Sequence, residues 1–330
     1  MKTTGDTFLV TGGAGFIGSA TVEYLLSKGS KVSVLDNFST GRRENLDFRG
    51  VLDEAALSLL TVFEGDIRNV DDTKKAMQGA RYVIHQAALT SLQQSVRAPL
   101  LANSVNVDGF LNCLVLARDL GVKRLVLASS SSVYGNSQEL PNREEAKLEP
   151  ASPYAVTKAI GEKYCRMFDS IYGLETVVLR YFNVFGPRQD PNSEYAAVIP
   201  AFIKKLLMGE RPIVYGDGKQ SRDFIYVGDV AAANHLACVK EGASGGVFNI
   251  ASGRSRSLEE LLSALSTITG SRELPVHAEE RPCDVKHSWA CTDEARKELG
   301  FVPKVSFEES LKATVSYFRK EMTGRVKADR

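Results

Sequence analysis

The stretch that most constrains this chain is a glycine turn set between an apolar run and an amphipathic one. Phe8-Leu9-Val10-Thr11 reads as a short strand, and Gly12-Gly13-Ala14-Gly15-Phe16-Ile17-Gly18 follows at once. A helical pattern then runs to about Lys28, closed by Gly29, and Lys31 to Leu35 is the next strand, ending in Asp36 and Asn37. Gly12, Gly15 and Gly18 let the backbone turn tightly and approach a pyrophosphate, whose charge the following helix N-terminus favours. Asp36 falls where a carboxylate would accept hydrogen bonds from an adenosine ribose and repel a 2′-phosphate. That reading predicts a dinucleotide site that takes NAD rather than NADP.

Strands and helices keep alternating. Thr61-Val62-Phe63 leads to Asp66 and Ile67, Tyr82-Val83-Ile84 to His85-Gln86-Ala87-Ala88, Arg124 to Ala128 leads to Ser129 to Ser132, and Thr176 to Leu179 leads to Arg180-Tyr181-Phe182-Asn183. Helical patterns span Val70 to Met77, Pro99 to Asp119 and Pro153 to Tyr172. The expected fold is α/β: a Rossmann-type doubly wound parallel sheet, with ligands beyond the carboxyl ends of its strands. After Asn183 the texture changes, and residues 183–330 read as a smaller substrate-binding lobe beside a nucleotide-binding domain of residues 1–182. Residues 227–253, a helix and a strand, are expected to return to the first domain. Val198 to Met208, Ser257 to Thr269, 293–299 and 306–320 read as further helices, with Ser257 and Glu260 forming a capping box.

Composition closes off other classes. The chain has 330 residues, 43% of them hydrophobic and 25% charged, with a net charge of +1 and no basic run longer than a pair. A nucleic-acid or polybasic membrane role therefore has no electrostatic footprint. No stretch reads as a signal peptide or as long enough for a transmembrane helix. Cys113, Cys165, Cys238, Cys283 and Cys291 have no metal-ligand spacing and read as reduced thiols of a cytoplasmic protein. His235 and His277 likewise have no metal partner, and no metal site is expected.

Ser152 can cap the helix that opens at Pro153, and that helix puts Tyr154 and Lys158 on one face. A nearby ammonium favours the phenolate and would draw Tyr154 towards a general base. Alone, the pair could equally be a surface tyrosine with a solvated lysine. Together with the glycine turn, Ser129 to Gly135, Arg180 to Gly186, Arg188 to Pro191 and Tyr195 to Pro200, in that order, it resembles the extended short-chain dehydrogenase/reductase family. Within it the segments are most similar to UDP-hexose 4-epimerases, particularly bacterial enzymes acting on N-acetylated UDP-hexosamines.

The resemblance implies NAD as cofactor, held by Gly12, Gly15, Phe16, Ile17, Asp36, Asn37, Asp66, Ile67, Gln86, Ala87, Ala88, Asn106, Tyr154, Lys158 and Tyr181. It implies a catalytic set of Ser130, Tyr154 and Lys158, with Ser129 or Ser131 as alternative registers for the serine. Tyr154 would take the proton of a 4-hydroxyl while hydride passes to NAD, and the 4-keto sugar would receive it back on its other face. Related dehydratases and decarboxylases carry carboxylates at the places of Ser131 and Ser132, which favours epimerisation here.

The resemblance further places Ser130, Ser131, Ser132, Tyr154, Asn183, Ala197, Val198, Tyr215, Arg222, Arg281, Asp284 and Ser288 on a UDP-sugar. Arg222 and Arg281 would clamp the diphosphate and Asp284 the uridine ribose. Ser288, where a tyrosine would restrict the pocket, would leave room for an N-acetyl group. The implied substrate is thus UDP-N-acetylglucosamine or UDP-N-acetylgalactosamine, with UDP-glucose and UDP-galactose as further substrates. UDP-uronic acids are the nearest alternative, and a non-catalytic sensor of NAD or nucleotide sugars is the alternative of another class. The helices from Pro99 and Pro153 imply a homodimer.

Overall fold

A computed structural model describes residues 5–137, 139–191, 197–279 and 286–328, with side chains to residue 323. In chain order the first half contains β1 (Thr7–Thr11), α1 (Phe16–Ser27), β2 (Lys31–Asp36), α2 (Glu54–Leu57), β3 (Leu60–Glu64), α3 (Val70–Met77) and β4 (Tyr82–His85). Then come α4 (Leu92–Arg97), α5 (Pro99–Asn103), α6 (Gly109–Asp119), β5 (Arg124–Ser130), α7 (Pro153–Tyr172) and β6 (Glu175–Tyr181). The second half adds β7 (Asn183–Phe185), α8 (Val198–Leu207), β8 (Ile213–Tyr215), β9 (Ser221–Tyr226), α9 (Val227–Val239) and β10 (Val247–Ile250). It ends with β11 (Ser255–Ser257), α10 (Leu258–Thr269), β12 (Val276–Ala278), β13 (His287–Ser288) and α11 (Phe307–Ala328).

Seven strands form one parallel sheet in the order β10-β6-β5-β4-β1-β2-β3. Its inner strands are buried on both faces because helices cover both, as a parallel sheet requires. The order reverses between β1 and β4, and that switch point opens the crevice for a nucleotide. α9 and β10 return from the second half: β10 pairs with β6, and α9 packs on the sheet beside α1. Arg124, almost fully buried, closes the far end of α9 by donating to the carbonyls of Ala237, Cys238 and Lys240 at 2.7–3.0 Å.

The second lobe is built from short pieces. β9 pairs with β7, β11 and β13, and β8 with β12. Phe185, Phe224, Phe202, Leu261, Leu265, Leu311 and Phe318 fill the core between these strands and α8, α10 and α11. The short strands β7, β11, β12 and β13 carry too few residues for a period to register in sequence.

Four readings need correction. The run from Pro99 to Asp119 is helical but contains a π-turn at Ser104–Asp108. It is also long and apolar enough to span a membrane, contrary to the expectation of no such segment, although half of it is buried within the protein. Residues 295–299 form a single π-turn, and the last helix runs to Ala328 rather than ending near residue 320.

Candidate active site

Glycine chemistry shapes the first wall. Gly12 has φ +69°, and a Cβ there would stand 2.6 Å from the Ala87 nitrogen. A Cβ at Gly18 would lie 2.1 Å from the Gly12 carbonyl oxygen, so α1 can approach the turn only without one. The Gly15 N–H bonds that same carbonyl at 3.1 Å. α1 opens on Gly15 with no side-chain cap and no acid in its first turn, so its free N–H groups face no competing carboxylate. Such a cradle fits a pyrophosphate. Phe16 and Ile17 form its first helical turn.

Around the adenosine end, Asp36 accepts from the backbone N–H of Ala14 at 2.9 Å and of Phe38 at 2.8 Å. Two bonds aim the carboxylate and leave lone pairs for a diol. Asn37 donates to Asp66 at 2.9 Å, and Arg68 binds Asp66 through both its backbone and its guanidinium. These donors hold the Asp66 carboxyl well below the ordinary carboxylate range. Ile67 is buried against Gly109.

Three of the implied cofactor residues do different work with their side chains. Gln86 donates to the Tyr181 hydroxyl at 2.7 Å and to Asn234 at 3.1 Å, while Tyr181 donates to Asn234 at 2.7 Å. Asn106 exchanges two bonds with the Leu89 backbone and gives its remaining N–H to Thr157 at 3.0 Å. Their donors are therefore spent inside the protein, tying loops after β4 and β6 to α7 and α9. Ala87 and Ala88 lie on the loop that Gly12 touches and that Asn106 holds.

The second wall is the seam between β5 and α7. Ser152 caps α7 by accepting the Ala155 N–H at 3.1 Å, and Ser95 of α4 accepts the Tyr154 N–H at 3.1 Å. The Ser130 hydroxyl lies close enough to the Tyr154 phenol to favour its ionised form. Lys158 places its ammonium 5.7 Å from the centre of the Tyr154 ring and donates to the Ala128 carbonyl at 2.8 Å. Geometry also separates the serines. Ser129 donates to Glu162 at 2.5 Å and points away from Tyr154, whereas Ser131 opens a 3₁₀ turn. The Ser132 hydroxyl oxygen is buried with no hydrogen-bond partner among the described residues.

The expected pull of Lys158 on Tyr154 is overturned by burial. Desolvation raises the Tyr154 pKa, and only the neighbouring Ser130 hydroxyl lowers it. Lys158 is itself brought down to about 8 by burial, against which the Glu162 carboxylate pulls upwards. His85, ending β4 and bonded to Thr11 at 2.9 Å, is pushed down to about 3 by burial and by the Lys158 charge. It is a neutral structural histidine.

On the other lobe, β9 gathers the described substrate-side residues. Arg222 stands in register with Ser288 of β13 and with Arg256 of β11, and donates to the carbonyls of Ser221 and Lys286. Asn183 pairs beside Phe224 and donates to the Asp223 carbonyl at 3.3 Å. Asp223, fully buried, accepts from Ser252, Gly253 and Ala290. That carboxylate fastens β9 to the chain leaving β10 and to the residue two beyond Ser288. Tyr215 ends β8 beside Ala278, and Ala197 and Val198 open α8. Arg281, Cys283 and Asp284 lie outside the described residues. Sequence reasoning missed Ser95, Glu162 and Asp223; of these only Glu162, one turn beyond Lys158 on the same face, carried a visible signal.

Ser130 stands opposite Tyr181 on β6, and Asn183 follows two residues on. The seam and the β9 cluster thus share the carboxyl edge of the sheet. That edge is where comparison with known proteins bears. The chain is 36% identical over 312 residues to the UDP-glucose 4-epimerase of Mycolicibacterium smegmatis, covering 94% of this chain and 98% of that one. It is 33% identical over 320 residues to the UDP-glucuronate 4-epimerase of Thermodesulfobacterium geofontis, with 96% and 97% covered. Its fold matches, with a TM-score of 0.91 and 41% identity, the UDP-N-acetylglucosamine 4-epimerase of Methanobrevibacter ruminantium M1 solved with UDP-N-acetylmuramic acid. That match covers 98% of this chain and 100% of the solved one. The sequence profile of the NAD dependent epimerase/dehydratase family matches residues 8–251, and the cofactor is NAD. This chain belongs to the NAD dependent epimerase/dehydratase family.

Proposed function

We propose that this protein is a UDP-sugar 4-epimerase acting on UDP-N-acetylglucosamine and UDP-N-acetylgalactosamine. The observation that carries the reading is the Tyr154 phenol set between Ser130 and Lys158, in a site with hydroxyls at 131 and 132. Such a set moves one proton at one hydroxyl and has no acid there for elimination. NAD, when bound, supplies the hydride acceptor and donor at carbon 4. Tyr154 takes the 4-hydroxyl proton and returns it, and Ser130 orients that oxygen. Burial keeps the resting phenol neutral, so Tyr154 becomes a base only when further positive charge lies beside it. Lys158 holds its ammonium against the β5 carbonyl, where it stabilises the phenolate as it forms.

On the substrate side, Arg222 suits a diphosphate and Asn183 its neighbouring oxygens. Ser288, in register with Arg222, leaves space where a bulkier side chain would oppose an acetamido group. Arg281 and Asp284 are assigned to the diphosphate and the ribose. The preference for acetylated sugars rests on Ser288 and on the likeness to the Methanobrevibacter enzyme. Purified protein is expected to convert UDP-N-acetylglucosamine to its galacto epimer without added reductant. Conversion of UDP-glucuronate alone would replace this substrate with the uronic acid, and binding without conversion would leave a sensor.

The functional unit is a homodimer in this proposal. Leu100 is 86% and Val96 62% exposed, and with Leu92 and Val156 they form an apolar outer face on α4, α5 and α7. Pairing two such faces would bury them. The reduced thiols Cys113, Cys165 and Cys238, all buried, suit the cytoplasm.

A further inference from the structure

Resting on the epimerase reading, we infer that Glu162 is a positioning residue for the reaction. Its buried carboxylate supplies the negative charge that keeps Lys158 an ammonium behind Tyr154. The three side chains follow one another by single turns on one face of α7. Lys158 and Glu162 are 6% and 7% exposed, so neither is solvated to any extent. The acceptor found for the Lys158 ammonium is a neutral carbonyl, that of Ala128. One carbonyl dipole does not offset the desolvation of a cation.

Glu162 is fixed where it can help. Arg180 forks it, with Nε to Oε1 at 3.0 Å and Nη2 to Oε2 at 2.7 Å, and Ser129 donates to Oε1 at 2.5 Å. Three donors fix the carboxyl in place. Arg180 spreads its own charge further, giving Nη1 to the Tyr134 hydroxyl at 2.8 Å and to the Glu144 carbonyl at 2.9 Å. The charged and titratable groups around Lys158 are then Tyr154 and Glu162 on α7, His85 on β4 and Arg180 on β6; β5 presents its backbone and serines. His85 is neutral, so among the described residues Glu162 is the one anion in this set. A purely structural Glu162–Arg180 pair would support folding and leave the lysine's titration alone.

The measurement separating the two roles is the titration of Lys158 itself, followed by NMR of protein carrying ¹³C at lysine Cε. The resonance is identified by its loss in Lys158→Met. Glu162→Gln keeps shape and an acceptor for Ser129 but removes the charge. In that variant the Lys158 midpoint should fall by roughly one pH unit or more. The alkaline limb of kcat should move down with it while KM changes little. Should Glu162→Gln not fold, the apolar pair Glu162→Met/Arg180→Met is compared with Arg180→Met, so that loss of the carboxylate is read apart from loss of the guanidinium. An unmoved Lys158 midpoint in a folded variant overturns the inference. Because the titration needs no substrate, a wild-type protein that converts no UDP-sugar would sink the epimerase reading and still leave Glu162 decided.

Discussion

The two lobes hold their functional groups in different ways. The β5–α7 seam is deep and redundantly braced: Tyr154 and Lys158 are tied through Ser130, Ser95 and the Ala128 carbonyl, with Glu162 and Arg180 packed below. The β9 cluster lies on short strands near the surface, and the buried carboxylate of Asp223 ties β9 to the chain around Ser252 and Ala290. A braced seam suits a step in which atoms must be placed to within a fraction of an ångström. Short strands around one latch suit a site that must admit and release a large, charged molecule. Changes in the seam should therefore act on kcat or on folding, and changes around β9 on KM or on sugar choice.

The largest effect expected is that of Tyr154→Phe. Losing the proton acceptor should lower kcat roughly 10³-fold while NAD still binds, which single-turnover kinetics and cofactor titration would measure. Retained turnover would break the assignment and the contrast with it. Next comes acid sensitivity. His85 is neutral when folded, with its pKa depressed from 6.5 to about 3, so the unfolded chain binds a proton that the folded one refuses. Its contribution is whole above pH 6.5 and is lost as the pH falls towards 3. Between pH 6.5 and 4.5 urea unfolding should record a loss of roughly 2 to 3 kcal/mol that His85→Asn does not show.

Smaller effects belong to the other lobe. Arg222→Ala should raise KM for a UDP-sugar by roughly 10- to 100-fold with kcat nearly intact, one charged hydrogen-bonding group having been removed. A fall in kcat of the same size would mean that β9 takes part in the chemistry. Ser288→Tyr should shift the kcat/KM ratio of acetylated to non-acetylated sugars by about 10-fold in favour of the latter, read by competition between the two substrates. An unchanged ratio would remove Ser288 from the sugar pocket.

How far the sequence was legible follows the same division. Gly12, Gly15, Gly18 and Asp36 act within one short unit whose spacing dictates its shape, so turn, helix and acid could be placed by eye. The same locality gave Tyr154 and Lys158, which one helix brings together. What it could not give was the direction of the Tyr154 shift, because burial depends on the whole of α4, β5 and α7. Gln86, Asn106 and Tyr181 sit at the right places along the chain, yet their side-chain donors go to Asn234, Leu89 and Thr157, partners distant in sequence. Asp223 was invisible because its partners come from two other strand ends. Arg222 and Ser288 became neighbours only through β13, a strand of two residues.

The return of the chain to the large sheet bears on how the protein can be divided. β10 is the edge strand beside β6, and it is made after β7, β8 and β9 of the smaller lobe. A chain cut after Phe182 would keep the whole glycine turn and the whole catalytic seam. It would also present the naked edge of β6, seven residues of almost fully buried backbone, and would leave Arg124 without the helix end it closes. Such an edge is a template for intermolecular pairing. The nucleotide-binding half is thus continuous as chemistry and incomplete as a folding unit, and a fragment carrying every catalytic residue should aggregate before it can turn over.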